Sequence, residues 1–266
     1  MIEKFFLANS DLQISRVGLG TVKFGRNQGI KYPAPFSLPT DREVQELLYC
    51  AQELGINLLD TAPAYGISEE RLGKLWIGAR EDWVLCTKAG EDFVNGESYF
   101  DFSAKAIRES VLRSLKRLKT DYLDIVLIHS NGEDVKLIED DNVFETLREL
   151  KKSGLIRAFG MSTKTIDGGK LAVDHSDVVM VTFNPLQAEE RSVIQYAEKK
   201  NKTILIKKAL ASGHVEKISG NDPVQAAMNF IFAEKGVGSV ILGTLNKEHL
   251  KHNMQCVRDA VFRVQS

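Results

Sequence analysis

The sequence predicts an α/β protein, a (β/α)8 TIM barrel formed by residues 1–266 as a single domain, and two observations carry that prediction. Short runs rich in branched and apolar residues recur along the whole chain, and each is followed by a stretch with apolar residues at helical spacing. Such alternation builds a parallel sheet, because parallel neighbours need a crossover long enough to hold a helix. Length agrees: 266 residues is close to the roughly 250 typical of one closed barrel of eight units.

The candidate strands are Val17–Thr21, Asn57–Asp60, Trp83–Thr87, Asp124–His129, Ile156–Ser162, Val178–Thr182, Thr203–Lys207 and Ser239–Gly243. Between the first two, Thr40 and Glu43 make a capping box, and Val44, Leu47, Leu48, Ala51 and Leu54 form one apolar stripe. Gly55 stands where a left-handed terminating residue is wanted. Ala104, Ile107, Val111, Leu115 and Leu118 make a second stripe, with basic residues largely outside it, which reads as a solvated face. Residues 142–154 repeat the pattern, Asp222–Pro223 is a cap followed by a first-turn proline, and weaker helical segments fall at 189–199 and 247–262. A doubly wound sheet is the alternative. Against it, Gly18-Leu19-Gly20 runs into Thr21-Val22-Lys23, without the third glycine of a dinucleotide fingerprint.

The 35 Lys+Arg and 36 Asp+Glu give a formal net charge of −1, so there is no strong field to draw in nucleic acid or an anionic membrane. Cys50, Cys86 and Cys256 are widely spaced and in no C-x-x-C arrangement, which fits a reducing compartment. Near the N-terminus only Phe5 to Ala8 form an apolar run, too short for a signal peptide, and no later run approaches a membrane span. A cytoplasmic protein is expected.

Reactive groups of a barrel belong at the C-terminal ends of its strands. Asp60 ends the second strand, Tyr65 follows in the next loop, Lys88 lies just past the third, and His129 ends the fourth. Each alone has a dull explanation, but four ionisable groups at the mouths of three adjacent strands must converge. Bringing a phenol of pKa ~10 down to ~7 needs about 4 kcal/mol, which a buried ammonium can supply. Lys88 would favour the phenolate, Asp60 would keep Lys88 charged, and His129 would orient a carbonyl oxygen. This set moves a proton but offers no electron pair, so a hydride donor must come from a cofactor.

Gly55 to Gly66, GINLLDTAPAYG, with the following Ser68-Glu69-Glu70-Arg71-Leu72-Gly73, resembles the signature of the aldo-keto reductase family. LCTKAG around Lys88 and DYLDIVLIHS around His129 resemble its next two blocks in order and spacing. The resemblance implies that Asp60, Tyr65, Lys88 and His129 are a catalytic tetrad, with Tyr65 as general acid in reduction of an aldehyde or ketone. It places Gly20, Thr21 and Asp60 near the nicotinamide ribose and Ser162 and Thr163, the latter where an asparagine is usual, at the carboxamide. Lys208 becomes a cofactor or phosphate contact, and Leu210, Ser212 and Gly213 the loop that meets the pyrophosphate. VILGTLNKEHLKHN resembles the adenosine-phosphate segment, with Gly243, Thr244, Lys247, His249 and Asn253 as matched positions. NADPH is therefore expected over NADH, with a modest preference because His249 replaces a usual arginine. Implied partners are the cofactor and a small carbonyl or alcohol substrate.

Two other classes are discriminable. A nicotinamide-binding sensor on the same barrel would turn over little, and a Schiff-base aldolase would use Lys88 as nucleophile. His249 and His252, three apart, imitate metal ligands, but no third ligand adjoins them in sequence, and no metal is expected.

Overall fold

The computed structural model describes residues 4–8, 10–30 and 32–265; Met1 to Glu3 of the N-terminal stretch, Asn9, Lys31 and Ser266 lie outside the described residues. The strands are β1 (Lys4–Phe6), β2 (Gln13–Ser15), β3 (Val17–Gly20), β4 (Leu58–Asp60), β5 (Val84–Ala89), β6 (Glu91–Val94), β7 (Glu97–Phe100), β8 (Leu123–His129), β9 (Ile156–Ser162), β10 (Val178–Thr182), β11 (Thr203–Lys207) and β12 (Val237–Leu242). The helices are α1 (Val22–Gly25), α2 (Asp41–Glu53), α3 (Ser68–Leu75), α4 (Ala104–Leu118), α5 (Asp134–Glu139), α6 (Val143–Lys152), α7 (Ile166–His175), α8 (Arg191–Lys199), α9 (Pro223–Phe232) and α10 (Lys247–Gln265).

Eight parallel strands close in the order β10-β11-β12-β3-β4-β5-β8-β9, as the sequence predicts for a (β/α)8 barrel. Leu58, Val84, Cys86, Ile125, Leu127, Ala158, Val178, Met180 and Leu205 fill its interior. Ile14 of the antiparallel pair β1–β2, with Leu7 and Leu12 of the segment connecting the two strands, joins that interior cluster. A second apolar layer lies between strands and helices, so removing a fully buried member such as Leu72 or Leu147 costs about 2–5 kcal/mol.

Local chemistry sets the helix ends. Glu43 N donates to Thr40 Oγ1 at 3.2 Å while Thr40 N donates to Glu43 Oε2 at 2.7 Å, and Gly55 follows α2 at φ 85°. Asp222 accepts from Val224 and Gln225 at the start of α9. The basic face of α4 is tied down by ion pairs, Arg113 with Asp92, Arg108 with Glu149 and Arg117 with Glu69 and Glu70.

Two stretches between the strands and helices assigned from the sequence are structured. Residues 91–101 contain the hairpin β6–β7, turning at Asn95 and Gly96 with φ of 54° and 89°. Residues 130–141 contain α5. Helices α3 and α7, which the sequence reading left unassigned, supply the missing crossovers.

Candidate active site

Tyr65 reaches the barrel mouth through backbone packed without room for side chains. A Cβ on Gly66, whose φ is 62°, would stand 2.1 Å from the Gly25 carbonyl oxygen, and one on Gly25 would stand 2.4 Å from the Tyr65 carbonyl oxygen. Only hydrogen fits at either place, and the turn carrying Tyr65 is thereby pinned on α1.

Beneath it, Lys88 Nζ donates to Asp60 Oδ1 at 2.7 Å and to the Thr61 carbonyl at 2.8 Å, and lies 4.8 Å from the centre of the Tyr65 ring. Asp60 is 3% and Lys88 2% exposed, so the pair is held away from solvent screening. The main chain of Asp60 is fixed in turn: its carbonyl accepts from both the N–H and the hydroxyl of Thr21, each at 2.9 Å. His129 faces Tyr65 edge-on, ring centres 6.3 Å apart at 83°. The four groups predicted to converge do so.

Electrostatics differ from expectation at Tyr65. Burial is the largest influence and pushes the phenol well above its ordinary value; Lys88 pulls it down without prevailing, and Asp60 pushes it up. The hydroxyl is held protonated. Burial would lower the Lys88 pKa, but the Asp60 carboxylate outweighs it and holds the group above the usual lysine range. Lys88 is thus locked as an ammonium, which removes the lone pair a Schiff-base nucleophile needs.

Glu91, which sequence reasoning missed, completes the cluster. Its Oε2 lies 2.6 Å from His129 Nδ1, and its Oε1 accepts from Ser98 at 2.6 Å. Burial would raise its carboxyl, but His129, Ser98 and Arg26 lower it to about 2. Burial lowers the His129 pKa while Glu91 opposes that shift. Arg26 lies 3.4 Å over the Phe93 ring and donates to the Ala64 carbonyl at 3.0 Å, joining the hairpin to the Tyr65 turn. Tyr99 and Phe100 of the hairpin are exposed.

Around this centre the other predicted positions fall into three groups. At the mouths of β9 and β11, Lys207 Nζ donates to Ser162 Oγ at 2.8 Å and to the Thr163 carbonyl at 2.6 Å, while Thr163 Oγ1 donates to Glu190 at 3.2 Å. Burial brings Lys207 down to about 7 against the pull of Glu190. Lys207 is therefore turned toward these groups; Lys208, the expected cofactor or phosphate contact, is exposed, and its carbonyl accepts from Asn184 at 3.0 Å. Between β3 and β12 the backbones of Gly20 and Gly243 lie close together with Tyr32 beside them, since a Cβ on Gly243 would stand 3.6 Å from the Gly20 carbonyl and 3.5 Å from Tyr32 Oη. Leu210, Ser212 and Gly213 lie in a loop where Ala211, Ser212 and Gly213 are successively left-handed, at φ 48°, 56° and 91°.

Thr21 and the last segment are tied to partners within the protein. The Thr21 hydroxyl is fully buried, donating to Asp60 O and accepting from Ser68, so its side chain serves to hold β3 against β4. At α10, Asn246 Oδ1 accepts from Glu248 N at 2.8 Å and His249 N at 3.2 Å, so these amides are capped internally rather than turned to an anion. Thr244 Oγ1 accepts from Asn246 N, Lys247 pairs with Glu46 at 2.8 Å, Asn253 is buried, and the His249 side chain is exposed.

The defining pattern of the Aldo/keto reductase family matches residues 16–219. The chain belongs to this family. A solved putative aldo-keto reductase from Pseudomonas aeruginosa is 49% identical, with a TM-score of 0.88 over 97% of this chain and 96% of that one. An aldo-keto reductase from Bacillus halodurans, solved in holo form, is 25% identical with a TM-score of 0.81 over 100% of this chain and 96% of its own. Among curated relatives, the uncharacterized oxidoreductase YqkF of Bacillus subtilis is 31% identical over 94% of this chain and 89% of its own. The NADH-specific methylglyoxal reductase of Escherichia coli is 34% identical over 62% of this chain and 53% of its own. This aldo-keto reductase is an oxidoreductase, and among its described residues no helix is long and apolar enough to cross a membrane.

Proposed function

We propose that this aldo-keto reductase reduces an aldehyde or ketone to an alcohol, reversibly, with Tyr65 as proton donor. The observation that carries the reading is the buried Lys88–Asp60 pair under the Tyr65 ring, with His129 across from it. Such a centre holds a proton at Tyr65 Oη and a fixed positive charge beside it, where negative charge develops on a carbonyl oxygen. The closely placed glycine backbones at Gly20 and Gly243, the polar groups on Ser162, Thr163 and Lys207 and the left-handed run at 211–213 support a nicotinamide dinucleotide as the cofactor. That cofactor, when bound, supplies the hydride. In a steady-state assay with simple aldehydes and NADPH, sustained turnover supports an enzyme; saturable binding without turnover favours the sensor reading.

His129 gives a pH prediction. With Nδ1 2.6 Å from the Glu91 carboxylate, the imidazolium is the form that pairs with Glu91 and donates from both nitrogens, whereas the neutral ring carries a single N–H. Lowering the pH through the His129 pKa increases the donor form, and carbonyl reduction is expected to rise accordingly. Glu91→Gln removes an influence that raises this pKa, so the activity limb should move to lower pH. Glu91 itself, at about 2, stays charged across the accessible range. A kcat–pH profile unchanged in Glu91→Gln would remove His129 ionisation from the account.

NADPH remains the proposed cofactor, with a modest preference over NADH. His249→Arg should tighten NADPH more than NADH in fluorescence titrations. Equal effects would show that position 249 does not meet the 2′-phosphate.

A further inference from the structure

Away from the barrel mouth, the fold brings together three donors that are scattered in sequence. Asp222 caps α9, while His252 and Cys256 stand one turn apart on α10, which packs against it. His252 Nε2 lies 3.1 Å from Asp222 Oδ2 and 3.5 Å from Cys256 Sγ, and Sγ lies 3.9 Å from Asp222 Oδ2. His252 thus finds the further ligands that His249 does not provide. We propose that Asp222, His252 and Cys256 bind a zinc ion that clamps α9 to α10.

Three features support this reading. Bond lengths of about 2.0–2.3 Å in a tetrahedral zinc site place neighbouring ligand atoms roughly 3.3–3.6 Å apart, and the three observed separations bracket that range. Both the thiol and the carboxylate face the same imidazole nitrogen. A nucleophilic triad would use opposite nitrogens of the ring, whereas three donors turned inward on one point suit a shared cation. The carboxylate is also divided in its work: Oδ1 accepts the two helix-capping N–H groups at 3.0 and 3.1 Å, which orients Oδ2 toward the other two donors. A mixed sulfur, nitrogen and oxygen set is suited to zinc rather than to calcium or magnesium, and His252, half exposed, leaves an entry path for the ion and its water.

The test uses full-length protein stripped with chelator and titrated with Zn2+ by calorimetry and with Co2+ by absorption. One equivalent of Co2+ should produce a thiolate charge-transfer band and tetrahedral visible bands, and Zn2+ should displace it and raise the Tm. Cys256→Ser should abolish the charge-transfer band and weaken binding at least ~10-fold. His252→Ala, at an exposed side chain that does not threaten folding, should weaken binding comparably, while Cys50→Ser should change neither band nor affinity. A Co2+ spectrum without thiolate character, or binding undiminished in His252→Ala, would overturn the site. Both readouts are independent of carbonyl reduction.

Discussion

Tyr65→Phe is expected to lower carbonyl turnover at least ~100-fold while leaving folding and NADPH affinity near wild type. The substitution removes one hydroxyl. Lys88 keeps its hydrogen bonds to Asp60 and the Thr61 carbonyl, so no buried charge is stranded. The Tyr65 turn stays seated on Gly25 because its contacts there are backbone. What disappears is the protonated phenol placed beside the Lys88 ammonium. Circular dichroism and fluorescence titration with NADPH check that the loss lies in kcat.

Lys88→Met should be as damaging to turnover by a different route, since the phenol then loses the nearby charge that opposes its burial. This variant also strands the Asp60 carboxylate in a buried site, at a cost of about 3–5 kcal/mol. The two effects separate in Lys88→Met combined with Asp60→Asn, which should regain thermal stability but not activity. Tyr65→Phe with Lys88→Met should be little slower than either single variant, because both serve one proton transfer. Multiplying losses would show that they act independently.

The barrel and the four converging groups were legible because their signals are local: branched runs, capped stripes, and ionisable residues at strand ends. Glu91 was not, although its hairpin had one. Asn95-Gly96 is a favoured two-residue turn and the flanking strands pair residue for residue, but the stretch is polar enough to read as rim loop. The partner of His129 was hidden there with it. The surroundings of Thr21 and of Lys207 were hidden for another reason. Motif position places a backbone; which way a side chain turns depends on partners distant in sequence, Asp60 and Ser68 for Thr21, Ser162 and Thr163 for Lys207. The Tyr65 pKa likewise depends on how much apolar volume surrounds the phenol, which a spacing argument does not contain.

Hydride transfer to carbon is the central claim, and an isotope test reaches it most directly. With NADPH dideuterated at nicotinamide C4 and a simple aldehyde, mass spectrometry of the product should find one deuterium on the carbinol carbon. The incorporation rate in Tyr65→Phe should fall by at least ~100-fold. Alcohol formed without deuterium at that carbon, or wild-type protein that binds NADPH yet labels no carbonyl compound, would contradict the assignment.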